Sequence, residues 1–257
     1  ADEIAEMGFD IIWTAFEGTQ SGYKKLRGAK LDQLYHGLKS RGVAILTSMI
    51  IGFPYQDQKK VQAEFKQLMD LAPDLWQILI YFAFPGTPLY RKVLEEGRYL
   101  SAYRDQPDYR RFDGFSMHFK HPHFKPEEIE DLQKALYRQA FETLGPSLVR
   151  VMKTWFEGYL SMKSSSRPLF RQRAERMRGY VQSALPGIYP AIRFGPNRER
   201  RAEARRFLED IVREFGSFTL KNRLEFWGTV PLSLWTRMKE NLGLFQQPRL
   251  LRREYRL

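Results

Sequence analysis

The sequence predicts an α/β protein built on parallel strands, and two observations carry that prediction. Three apolar runs, Phe9–Phe16 (FDIIWTAF), Ala44–Ile51 (AILTSMII) and Trp76–Phe82 (WQILIYF), each end in a turn bearing glycine or proline, and a helical pattern follows each turn. The third unit shows the grammar best. Its apolar run breaks at Pro85-Gly86 and restarts as Thr87-Pro88-Leu89, a helix N-cap followed by proline at the first helical position.

Taken in order, Ala1–Gly8 (ADEIAEMG) reads as the last turns of a helix that ends in glycine and runs straight into the first strand. That strand ends in Glu17-Gly18, and a loop through Gly28 leads to a helix near Lys30–Arg41, stopped by Gly42. The second strand runs into Gly52-Phe53-Pro54 and a helix near Asp57–Leu71, where Val61, Phe65, Leu68, Met69 and Leu71 form an apolar stripe. Pro73-Asp74 turns into the third strand, and the helix from Thr87 to Glu96 ends at Gly97. These units make up a first region, 1–98. Residues 99–125 carry no regular pattern. From 126 to 257 the chain is mainly helical, with helices at Pro126–Gly145, Pro146–Met162, Leu169–Leu185 and Asn197–Phe215. The breaker Lys163–Pro168 and a Pro/Gly loop at Gly187–Pro196 interrupt them. Residues 216–257 read as mixed and end in a basic tail.

At 257 residues and 43% hydrophobic, the chain is large enough for a sizeable core. Its formal charge of +12 is unevenly spread. Residues 1–149 hold 19 Lys/Arg against 20 Asp/Glu, whereas residues 150–257 hold 23 against 10, so the basicity belongs wholly to the C-terminal region. There is no cysteine, which excludes disulfides, thiolate metal sites and a cysteine nucleophile. No apolar run approaches the length of a membrane span. The expected location is cytoplasmic, or peripheral to a membrane.

The set FEG (16–18), IGFP (51–54) and PGTPLY (85–90), with LDQLYHGLKSRG between the first two, resembles the second half of a radical S-adenosylmethionine (SAM) barrel, most closely the members that carry a cobalamin-binding domain. The resemblance covers about residues 1–100. It implies the C-terminal half (units four to six) of a partial (β/α)6 TIM-like barrel, with 99–125 along its mouth and a helical, basic extension behind. It also implies reductive cleavage of SAM by a [4Fe–4S] cluster to a 5′-deoxyadenosyl radical, and modification or methylation of a substrate the sequence does not name. Cobalamin is implied as a second cofactor. The cluster needs three cysteines and the chain has none, so the expectation is a C-terminal fragment, inactive alone, whose partner is the missing N-terminal part.

The same resemblance assigns site residues. Glu17 would meet the amino group or ribose of SAM; its bland reading is a solvated acid leaving a strand. Gly52, Phe53 and Pro54 would form the adenine side, against a plain strand-to-helix turn. Phe82, Ala83, Phe84, Pro85, Gly86 and Thr87 would bind the purine edge through backbone groups. Tyr23, Lys24, Lys25 and Arg27 read as a solvated loop. His118, His121 and His123 have a spacing that can bind metal, but Lys120, Lys125 and Pro122 crowd them, and no metal ligand is assigned. Trp155, Phe156, Tyr159 and Leu160 read as helix packing, with a membrane-touching face as the alternative. The arginines of 167–178, 198–206 and 249–256 would suit anionic lipid or, as the weaker partner, nucleic acid. Acids interleave the middle block, which favours a salt-bridged surface. The alternative function is a membrane- or RNA-binding protein on a non-catalytic half-barrel.

Overall fold

The computed structural model describes residues 1–16, 30–101, 112–216 and 220–244. The first region follows the expected order: α1 (Asp2–Glu6), β1 (Ile11–Phe16), α2 (Leu31–Lys39), β2 (Ala44–Ile51), α3 (Gln58–Asp70), β3 (Leu75–Ile80) and α4 (Pro88–Glu95). The helices start where side chains satisfy their first amides. Asp57 accepts from the Lys60 N–H at the start of α3, and Thr87 from the Tyr90 N–H at α4, with Pro88 next to it.

The strands form a parallel sheet in the order β1-β2-β3. Its two faces differ sharply. Ile12, Thr14 and Phe16 align with Ile45, Thr47 and Met49, and Met49 and Ile51 with Ile78 and Ile80, on a face covered by helices. The other face carries Ile11, Trp13, Ala15, Ser48, Ile50, Gln77 and Leu79, and much of it is open: Trp13 is 67% exposed and Ile11 50%. Among the described residues β1 has no partner on its outer edge.

The helices that follow are α5 (Pro126–Leu144), α6 (Ser147–Met162), α7 (Pro168–Ala184), a single 3-10 turn at Leu185–Gly187, α8 (Ile188–Phe194), α9 (Arg198–Phe215) and α10 (Leu220–Asn241). Two expectations change here. Gly187–Pro196 is not a loop but mostly helix α8, and the stretch read as mixed contains the 22-residue α10.

The later helices share cores with the strands. Met49, Ile51, Ile78 and Ile80 pack with Phe65 and Leu68 of α3 and with Ile129, Leu132 and Leu136 of α5. Ile45 and Val43 pack with Leu38 of α2, Tyr159 and Met162 of α6, and Ala174 and Met177 of α7. A third cluster joins α6 to α9 through Met152, Phe156, Val181, Ile188, Phe207 and Ile211. Between the first two clusters sits a polar knot. The hydroxyls of Thr14, Tyr35 and Thr47 bond one another at 2.7–3.2 Å, which satisfies all three under α2.

Candidate functional site

The residues leaving the C-terminal end of β3 form an aromatic cluster. Phe82 lies 6.1 Å from Phe84, 6.1 Å from Phe112 and 5.6 Å from His118, ring centre to ring centre, and Phe84 and Phe112 meet edge-on at 5.7 Å. Ala83 is buried and its carbonyl accepts from the Tyr99 hydroxyl at 3.3 Å, while Phe84 remains 48% exposed. The Phe84 carbonyl accepts the Thr87 N–H and hydroxyl, which closes the turn through Pro85 and Gly86. Gly86 sits at φ +87° with open space where a side chain would stand. Phe82 makes no backbone hydrogen bond among the described residues, so its amide and carbonyl remain available beside an apolar wall.

The β2 turn is occupied differently. Gly52 is at φ +89°, and a side chain there would come within 2.7 Å of Ile129 Cδ1. The close approach that demands glycine is therefore made by α5. The Phe53 N–H donates to Gln56 Oε1 at 2.9 Å, and its buried ring packs on Tyr55 and on Tyr81, 4.6 Å away. Pro54 is exposed. Phe53 thus backs the β3 turn through Tyr81 rather than facing the Phe82 group. Glu17, Tyr23, Lys24, Lys25 and Arg27 lie outside the described residues.

The three histidines separate. His118 is fully buried against Phe82 and Phe112. His121 Nε2 lies 3.0 Å from the Phe53 carbonyl, and its Nδ1 accepts the His123 N–H at 3.1 Å. Those two bonds assign the proton to Nε2. No metal-binding cluster occurs among the described residues.

Burial holds the His121 imidazole below its usual pKa, helped by the neighbouring His123 and Arg98 and opposed by the bond to Phe53. The fold therefore binds the neutral ring. Its contribution to stability is complete above the unfolded value, about 6.5, and is lost as pH falls through the lowered one. Urea midpoints measured from about pH 7 down to pH 5 should decline for the native chain and decline less for His121→Phe. Equal declines would remove His121 as the cause.

The opposite end of the sheet is built for stability. Asp74, one residue before β3, is buried, as is Arg173 of α7. Arg150 of α6 donates to the carbonyls of Pro73, Asp74, Leu144 and Gly145 and lies 4.1 Å over the Trp76 ring. Burial brings its pKa down to about 10, partly offset by Asp74 and Glu203, so it stays charged. Arg173 donates to Asp10 Oδ1 at 3.0 Å, to the Phe9 carbonyl at 2.6 Å and to the Arg41 carbonyl at 2.8 Å. Its pKa is also lowered by burial, with Asp10 opposing.

The arginines of 167–178 are largely consumed in this way. Arg167 pairs with Glu6, Arg173 and Arg176 with Asp10, and Arg178 with Glu175. Phe156 and Tyr159 are core residues and Trp155 packs at a tilt on Tyr180, 5.2 Å away, as the packing reading expects, while Leu160 is exposed. No protein-family model matches the chain, and no curated protein matches it either.

Proposed function

We propose that this chain is the C-terminal part of a radical SAM barrel, and that the turn after β3 receives the adenine of SAM. The observation that carries the reading is the one-sided sheet. A parallel sheet is ordinarily covered on both faces. Here helices cover one face only, while the other leaves Ile11, Trp13 and Ile50 exposed and holds a buried Gln77 Oε1 without a partner among the described residues. Such a face, with a β1 edge unpaired among the described residues, suits the lining of a barrel closed by further strands.

The residues fit SAM in part. Phe82, Phe84 and Phe112 offer an apolar wall for a purine, the Phe82 backbone offers one donor and one acceptor, and Gly86 leaves room for close approach. Glu17, the next residue in sequence after β1, is assigned to the same nucleoside by the resemblance alone. Gly52 and Phe53 support this wall from behind. Ser48 and Gln77, paired in register on the open face, would meet the substrate. The [4Fe–4S] cluster does not fit this chain, which has no thiolate to hold it. Its ligands, and any cobalamin, would come from outside these residues. When bound, the cluster would supply the electron that cleaves SAM; the part of this chain is to hold the nucleoside and exclude water.

The test is to express the chain together with the coding sequence that precedes it, and to assay 5′-deoxyadenosine release from SAM under reducing, anaerobic conditions. A CxxxCxxC segment upstream, with release abolished and SAM binding weakened at least about tenfold by Phe82→Ala or Gly86→Val, is the expected outcome. An upstream sequence without the three cysteines, or binding indifferent to both changes, would overturn it.

A further inference from the structure

Helix α10 is turned inside out. Trp227, Leu234, Trp235 and Met238 fall at i, i+7, i+8 and i+11, which places them on one helical face. All four are exposed, Trp227 at 73% and Trp235 at 52%. The side of the helix away from this stripe carries Leu232, Ser233, Thr236 and Arg237, which line a groove of about 740 Å3 with Phe141 of α5 and Phe194 of α8. An amphipathic helix that only packed on the protein would be arranged the other way round.

Beside it lies a second groove of about 550 Å3, lined by Arg193, Arg198, Arg201 and Arg205 with Tyr189. Arg193 and Arg201 border both grooves, and neither has an acidic side chain among its lining residues. Helix α9 sorts its charges to achieve this. Its acids Glu203 and Asp210 face the other way and pair with Lys153, Arg200 and Arg213. Arg198, Arg201 and Arg205, at i, i+3 and i+7, share the groove face and enter no ion pair among the described residues. Of the interleaved acids, Glu203 and Asp210 are on its far side, while Glu209 follows Arg205 by four residues on the arginine face.

We infer that α10 and the adjoining arginine groove are a docking surface for an anionic lipid bilayer. The apolar stripe enters the boundary between headgroups and acyl chains, where tryptophan is favoured. Lys239 borders it, 5.1 Å over the Trp235 ring, and Arg237 lies over the Phe194 ring beside the groove. The groove arginines bind headgroup phosphates. Attachment is to the surface, since no described helix is long and apolar enough to cross a membrane. A nucleic-acid partner would use the arginines but has no need of Leu234 and Met238. A second copy seated on the stripe by a two-fold axis would bring like charges together. The inference does not depend on the barrel reading.

Co-sedimentation with phosphatidylcholine vesicles, with and without about 30% phosphatidylglycerol, tests it, alongside inorganic phosphate and single-stranded RNA as soluble competitors. The expected result is binding to the anionic vesicles only, with a blue shift of tryptophan fluorescence and loss at about 0.5 M salt. Reversing Arg198, Arg201 and Arg205 to glutamate should weaken it roughly a hundredfold or more. The double variant Trp227→Ser, Trp235→Ser should abolish the shift with unchanged far-ultraviolet circular dichroism, whereas Trp13→Ser should bind as before. Four results would overturn the inference: equal binding to neutral vesicles, RNA binding that ignores the two tryptophans, full competition by inorganic phosphate, or a concentration-dependent dimer that buries the stripe without lipid.

Discussion

Asp74→Ala should lower the free energy of unfolding by about 3–5 kcal/mol, the largest loss expected from any single truncation in the chain. The carboxylate is 1% exposed and joins three elements. Its Oδ2 accepts the Ile45 N–H at 2.9 Å, on the strand at the centre of the sheet. Its Oδ1 accepts the Thr154 hydroxyl of α6 at 2.7 Å and faces the Lys39 ammonium of α2 at 3.3 Å. Alanine would strand the Ile45 amide in the core and leave Lys39 with the Ala72 carbonyl as its remaining partner there. Asp74→Asn should fall between, because an amide oxygen can still accept but the adjacent NH2 cannot. In urea the midpoint should move with the slope unchanged. An alanine variant within about 1 kcal/mol of the native chain would show that water replaces the carboxylate.

Gly158→Ala should be the second largest, with a loss of about 2 kcal/mol or more and a melting temperature lowered by roughly 5–10 °C. The methyl group would sit on the Cα and amide nitrogen of Gly42 and 3.1 Å from the Arg41 carbonyl carbon. Every obstacle is backbone, so no side chain can swing away. Gly42 itself is at φ +68°, and Ser161 of the same helix donates to the Ser40 carbonyl. The turn between α2 and β2 is thus clamped flat onto α6. Helix propensity alone would favour alanine by about 1 kcal/mol, so a loss here has the opposite sign from the intrinsic effect. Gly179→Ala supplies the control: it is an exposed position in α7 with nothing within 4 Å of the added carbon. That change should stabilise by up to about 1 kcal/mol. If both substitutions behave alike, the close crossing is not what limits Gly158.

The strands were legible because each is a near-continuous apolar run, and their helices because Asp57 and Thr87 stand where caps belong. Gly187–Pro196 misled because its punctuation looks like a loop. In the fold, Pro186 and Pro190 lie in first turns, where proline costs little, and Gly195 caps the end of α8. Helix α10 is hidden in the sequence because Gly228 and Pro231, both inside the continuous helix, read as breakers, and its stripe faces outward. At the site, Phe82–Thr87 could be found from sequence, and His118 could be named within a segment along the mouth, but the packing of Phe112 and His118 against the β3 turn could not. They come from an irregular segment, and only the tertiary fold brings them to the β3 turn. Asp74, Arg150 and Arg173 were missed for a related reason: a lone charge in a helix or turn reads as solvated until its distant partners are known. The one available signal was Asp74 standing immediately before a strand.

The bonds of Arg173 also set a timetable. It grips Asp10 across 163 residues of sequence and the carbonyls of Phe9, Arg41 and Gly42 across comparable spans. During synthesis β1 leaves the ribosome well before Arg173, the residue that fastens its base to the neighbouring strand. At typical elongation rates that interval lasts roughly 10–30 s. Until then β1 is held to β2 by strand pairing, and the packing at the base of the first two β/α units is completed only once α7 has emerged.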